Sequence, residues 1–292
     1  MLSHLYAFFL APFQDFIFMR HALVACLALA LGCGPVGVLL VLRRMSLVGD
    51  ALSHTILPGV ALGFVISGLS LYAMTLGGLV FGLAMALIAG AVSRLTLLRE
   101  DASFAAFYLV SLALGVLLIS MRGSSIDLIH VLFGSILAVD DASLILVAVS
   151  TTITLAALAI IYRPLIVECF DPGYLKSVQG RGAAIHLIFL ALVVLNLVAG
   201  FRALGTLMAV GMMMVPAISA RFWARQVWSA SLAAAGIAML SGYVGLLLSY
   251  YLNLPSGPAI ILTAGFCCLV SLAFGFYGSI YARRRLGEHL TG

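Results

Sequence analysis

Charge is what this chain has least of. Only 9% of its 292 residues are Asp, Glu, Lys or Arg, where a soluble domain carries about 25%. Hydrophobic residues make up 64%, and the mean hydropathy is +1.23. A soluble enzyme is excluded, and no tail, linker or charge block is long enough to form a soluble domain. Cysteine offers no framework either. Cys26 and Cys33 share one apolar stretch, Cys267 and Cys268 are adjacent in another, and Cys169 lies in a polar one. None repeats the close Cys-x-x-Cys spacing of a zinc ribbon or redox pair, so all five read as small apolar side chains. No Gly-x-x-x-x-Gly-Lys-Ser/Thr phosphate loop is present, so the chain is not expected to hydrolyse ATP itself. The first 15 residues lack a basic lead and a small-residue cleavage site, and are expected to run into the first span rather than be removed.

What fills the sequence instead is apolar runs of membrane length, which takes about 20 residues. Nine candidate spans cover approximately 17–42, 51–69, 71–93, 102–120, 142–162, 183–200, 204–220, 228–251 and 258–280. With the N-terminus outside, 12 of the 15 basic residues fall on the cytoplasmic side, and only Arg20, Arg122 and Arg202 fall outside. The excess of Lys and Arg in cytoplasmic loops sets orientation, so the N-terminus is outside and the C-terminus inside. The expected fold is all-α: one polytopic helical bundle over residues 1–292, with about 8–9 transmembrane helices and a short re-entrant or interfacial helix. Two pieces fit least well as spans. Residues 125–139 are short and polar at their ends, and 202–220 are interrupted by Gly205, Gly211 and Pro216.

Residues 45–64 read MSLVGDALSHTILPGVALGF. Asp50 and His54 are four apart, which on a helix stacks both side chains on one face. A carboxylate at the centre of a spanning helix costs about 2.5–3.5 kcal/mol on insertion scales, so it must meet protein, water or an ion. A carboxylate oxygen and an imidazole nitrogen together form half of a site for zinc or manganese. No second such pair occurs in the spans, and a two-fold dimer is the simplest source of the other half. The alternative is that Asp50 caps a helix beginning at residue 51, with His54 bonded to a backbone carbonyl. Pro58, followed by Gly59 and Gly63, breaks the run, as broken transporter helices do where backbone lines a cavity. Other candidates are weaker: His130 on the outer side, His4 and His21 near the outer surface, and Met212 to Met214, which point three ways around a helix and read as packing. His186 is expected at the cytoplasmic interface.

The stretch RRMSLVGDALSHTILPGVALGF resembles the signature of the permeases of ABC-type zinc and manganese importers. Further resemblances follow in order: VLFGSILAV (131–139), FDPGYLKSVQG (170–180), LGTLMAVGMMMVPAISA (204–220) and LPSGPAIIL (254–262). The resemblance implies a homodimeric, or closely similar paired, permease in the bacterial plasma membrane. It would be driven by cytoplasmic ATP-binding-cassette ATPases and fed by an extracytoplasmic metal-binding protein. Asp50 and His54 would then be the ligands within the path, with helix breaks at Pro58 and Pro216 beside it. The cytoplasmic loop at about 162–181 would be the coupling element, through Phe170, Asp171, Pro172, Gly173, Tyr174, Leu175 and Lys176. No cofactor is expected to be bound permanently; the metal is cargo. Imidazole suits zinc, and zinc stands above manganese in the affinity order, so zinc is favoured and manganese is next.

Three other functions compete. An intramembrane hydrolase using Asp50, Ser53 and His54 is disfavoured because neighbours on a helix diverge by about 100°. A proton-driven secondary transporter would usually show an internal repeat, and the Asp-x-x-x-His pattern occurs once. A vitamin or siderophore permease has no use for paired metal ligands.

Overall fold

A computed structural model describes residues 9, 11–68, 70–98, 100–120, 139–170 and 182–282. The described residues form helices and no strand. In chain order the long helices are α1 (Ile17–Leu42), α2 (Ser46–Thr55), α3 (Leu57–Ser67), α4 (Leu71–Leu95) and α5 (Glu100–Ser120). Then follow α6 (Asp141–Phe170), α7 (Gly182–Leu204), α8 (Thr206–Ala220), α9 (Val227–Leu252) and α10 (Ser256–Phe274). Taken as one unit, α2 and α3 give a span of 22 residues, and among the described residues 8 helical segments are long and apolar enough to cross a membrane. At 15 residues and about 1.5 Å per residue, α8 is too short to cross the roughly 30 Å apolar layer.

α1, α7 and α8 form the centre of the bundle. α1 packs along α6, α8 and α9, while α3 lies against α4 and α5. Lipid supplies no hydrophobic force between apolar helices, so their association depends on close packing. Glycine provides it at the α3–α4 crossing, where a Cβ on Gly59 would collide with the carbonyl of Gly77 and one on Gly77 with the carbonyl of Gly59. A buried polar seam crosses the centre. Asn196 donates to Thr154 Oγ1 at 2.7 Å and to Leu192 O at 2.8 Å, while Thr151 donates to Ala28 O at 2.9 Å.

Three expectations shift. The second span begins at Ser46 rather than 51, because the turn after α1 is tight. Arg44 takes φ 60, and Met45 N–H donates to Leu40 O at 2.9 Å, which sends the chain straight back into helix. The 142–162 span runs on to Phe170, about 45 Å in 30 residues, so the polar excursion drawn from 162 starts as helix. Finally, Pro216 does not break its helix. It lies inside α8, and the interruption falls at Gly205, whose φ of 93 is a conformation that glycine adopts freely.

Candidate metal-path site

Asp50 and His54 lie in the interior of α2, so Asp50 is not the residue that caps the helix. The helix's N-cap is Met45, and no side chain caps it. The two side chains do stack: His54 Nε2 is 3.8 Å from Asp50 Oδ1. Two metal–ligand bonds of about 2.0–2.2 Å can span that gap around one ion. Ser53 turns its hydroxyl away, donating to Asp50 O at 2.7 Å. That hydroxyl is bonded to the helix backbone rather than to His54.

The exposure of the pair is uneven. The Asp50 side chain is 63% exposed and that of His54 31%. The His54 ring leans on Tyr108 of α5, with centroids 5.4 Å apart and planes at 49°. His54 Nδ1 is buried without a hydrogen-bond partner, which leaves Nε2, on the side of Asp50, as the nitrogen able to meet an ion. The helix breaks just beyond, at Ile56, and Pro58 occupies the first turn of α3. Proline is tolerated there because its missing N–H would have no partner within the helix.

Asp50, Ser53 and His54 line a cavity of about 340 Å³, whose opposite wall is α8 with Thr206, Leu207, Val210, Gly211, Met214 and Val215, together with Ile261 of α10. The short helix α8 is thus the mostly apolar far wall of this cavity. Met212 and Met213 are fully buried packing residues, while Met214 reaches the cavity. Among the described residues no third His, Cys, Asp or Glu joins the pair into a metal-binding group. Among the described residues the pair therefore stands alone at the cavity.

The other sequence candidates are dispersed. His21 Nε2 lies 3.7 Å from Asp141 Oδ1, and its Nδ1 is 3.3 Å from Val139 O at the outer end of the bundle. His186 lies near the start of α7, fully buried among protein side chains and 2.7 Å from Arg43 Nη1. Phe170 is the exposed last residue of α6. His4, His130, the 131–138 part of the VLFGSILAV element and Asp171, Pro172, Gly173, Tyr174, Leu175 and Lys176 lie outside the described residues. Sequence reasoning missed Tyr108 as the ring beside His54, since nothing in an apolar run singles out one tyrosine.

Known proteins place the chain. The model of the ABC 3 transport family matches residues 15–275. The manganese import system permease protein ScaB of Streptococcus parasanguinis is 35% identical over 264 residues, covering 90% of this chain and 92% of that protein. The manganese transport system membrane protein MntC of Listeria monocytogenes is 30% identical over 278 residues, covering 95% and 98%. Among solved structures, PsaBC from Streptococcus pneumoniae in complex with Fab superposes with a TM-score of 0.80 at 31% identity, covering 97% of this chain and 98% of that one.

Proposed function

This chain belongs to the ABC 3 transport family, as the membrane permease subunit of a metal importer, and on that premise we propose that two copies carry manganese between them. The path passes Asp50 and His54. The observation that carries this reading is the half-site itself: a carboxylate and an imidazole 3.8 Å apart, lining a cavity, with the carboxylate 63% exposed. A carboxylate open at membrane depth must meet protein, water or an ion, and a second chain with an ion between the two copies would meet that need. A two-fold axis would supply the second Asp50–His54 pair.

Manganese rather than zinc is supported by the names of the relatives and by a requirement of transport. Zinc lies above manganese in the affinity order for such ligands, but an import path must let its ion go. Carboxylate and water suit manganese, and two Asp with two His leave room for added waters. Zinc is then the competitor ion.

The cycle is alternating access. An extracytoplasmic binding protein docks outside and releases the ion into the cavity, where it exchanges water for the Asp50 carboxylate and His54 Nε2. Imidazole binds metal only without its proton, so acidification opposes loading. ATP-driven closure of two partner ATPases, docked at the connection between α6 and α7 that includes Asp171 to Lys176, reshapes the cavity. The ligands part and the ion leaves inward.

The test is uptake by proteoliposomes holding the permease with its ATPase and binding protein, with manganese and zinc offered separately and together. Manganese uptake that depends on ATP and is lost in Asp50→Asn supports the reading. Uptake at the wild-type rate in that variant removes Asp50 from the path.

A further inference from the structure

At the cytoplasmic ends of five helices a set of charged groups is folded inward. Arg43 is the C-cap of α1, Arg94 lies in the last turn of α4, and Glu100 in the first turn of α5. Glu168 lies in the last turn of α6 and His186 in the first turns of α7. Arg94 pairs with Glu168, whose side chain is 1% exposed. Arg43 reaches His186 Nδ1 at 2.7 Å, donates through Nε to Cys169 Sγ at 3.3 Å, and lays its guanidinium 4.8 Å from the centroid of Phe189. Glu100 Oε1 stands 3.7 Å from His186 Nε2.

The pairing is incomplete. Arg43 Nη2, Arg94 Nε, Glu168 Oε2 and His186 Nε2 are all buried with no hydrogen-bond partner, and buried polar groups are ordinarily satisfied. The charges balance, two guanidinium groups against two carboxylates, yet they are unevenly matched. Arg94 holds Glu168, while among the described residues Arg43 has no carboxylate within ion-pair distance and Glu100 has only the imidazole. The same four charges therefore admit a second pairing in which Arg43 takes a carboxylate. Packed interiors switch between discrete arrangements rather than deform continuously.

Position gives this significance. Both ends of the connection between α6 and α7 are rooted in the cluster, through Glu168 and Cys169 on one side and His186 on the other. Arg43 stands on the tight turn into α2, where Arg43 N–H donates to Leu39 O at 3.1 Å and Arg44 N–H to Val41 O at 3.1 Å. Asp50 follows on the same short helix. A shift at the end of α1 is thus carried to the metal ligands through a stiff turn.

We infer that this buried cluster is the link through which movement of the α6–α7 connection reaches the metal-bearing helix, by an exchange of salt-bridge partners centred on Arg43. The inference rests on the reading that the partner ATPase docks at that connection. Arg43 is a positioning residue: it acts on the ion through α2.

The experiment measures manganese uptake and ATP hydrolysis together in proteoliposomes of the full transporter. Arg43→Gln removes the exchanging charge, and Arg43→Lys keeps a charge without the planar fork. In Arg43→Gln the ATPase should stay bound and hydrolyse within about twofold of wild type, while ions moved per ATP fall at least about tenfold, within the range of coupling between sites. Arg43→Lys should recover part of that ratio. A cluster that merely staples helices would lower uptake and hydrolysis together at constant ratio; that result overturns the inference. Glu100→Gln, at a side chain 34% exposed, keeps the question decidable if Arg43→Gln does not assemble. It should lower the same ratio, and an unchanged ratio counts against the link. The docking reading is tested apart: replacing residues 172–178 by a Gly/Ser linker while ATPase binding and coupling persist refutes the docking, whatever Arg43 does.

Discussion

Asp50 and Glu168 are both carboxylates in helices built for lipid, and the fold treats them oppositely. Glu168 is 1% exposed and held by Arg94 from the same chain. Asp50 is 63% exposed, and its nearest basic neighbour is His54, 3.8 Å away on the same helix. Closing a charge inside costs several kcal/mol unless it is paired, and Glu168 meets that condition from within. Asp50 does not. One carboxylate is paired within the chain, while the other stands open at a cavity, where the proposed function places the ion. On the proposed function, the contrast separates a structural charge from a working one better than residue type alone.

The comparison can be pressed hardest at Asp50. Asp50→Asn keeps size and helix while removing charge, and manganese uptake should fall by about 100-fold or more, beyond the 10–100-fold typical of groups that only support a ligand. Membrane insertion and thermal stability in detergent should stay near wild type. A large loss of stability would show that Asp50 is structural after all.

His54→Cys sharpens the contrast by changing the ligand rather than deleting it. Thiolate binds zinc well and manganese poorly. The variant should lose manganese transport yet bind zinc tightly and release it slowly. Without metal, two such thiols facing one axis should cross-link between copies under mild oxidation, which needs Cα atoms within roughly 7 Å. Leu62→Cys should cross-link less. Equal binding of both metals would remove His54 from the ligand set.

Glu168→Ala should behave in the reverse way to Asp50→Asn. It leaves Arg94 uncompensated in a buried setting, a change that costs about 3–5 kcal/mol, read as lowered thermal stability of the purified chain. Manganese affinity at Asp50 should change little. Stability within error of wild type would mean that the Arg94 pair carries no structural weight.

The smallest effect belongs to a third carboxylate, at the outer end. Asp140 accepts from the Ser143 hydroxyl and from Ser143 N–H at 2.9 Å, and lies 3.7 Å from Arg202 Nη2. Chiefly the Ser143 hydroxyl, with help from Arg202 and against partial desolvation, holds its carboxyl below the usual Asp value. A depressed value means that its contribution is complete above the ordinary carboxylate range and lost as pH falls through the folded value. Wild type and Asp140→Asn should therefore differ in melting temperature by a constant amount from about pH 8 to 6 and converge only below about pH 4. Convergence near neutrality would contradict this assignment.

The order of spans and the i, i+4 pair were legible because hydropathy and helical periodicity are local. The start of α2 was not. The apolar run begins at 51, but Gly49 lies beneath Met213 and Met214, and that packing, together with the tight turn at Arg44, carries the helix back to Ser46. The break placed at Pro216 fell at Gly205 for a different reason: a positive φ separates two helices there, while a proline inside a membrane helix is tolerated. The cytoplasmic cluster left no local trace at all. Arg94 and Glu168 are 74 residues apart, and Arg43 and His186 are 143 apart; only the folded bundle brings them together.

The central claim is that two half-sites meet around one ion. Equilibrium binding of radioactive manganese to the purified permease–ATPase complex, with chain content determined in the same sample, tests it most directly. The account predicts one ion for every two permease chains, displaced by zinc and absent in Asp50→Asn. One ion per permease chain, or binding that survives Asp50→Asn unchanged, would contradict it.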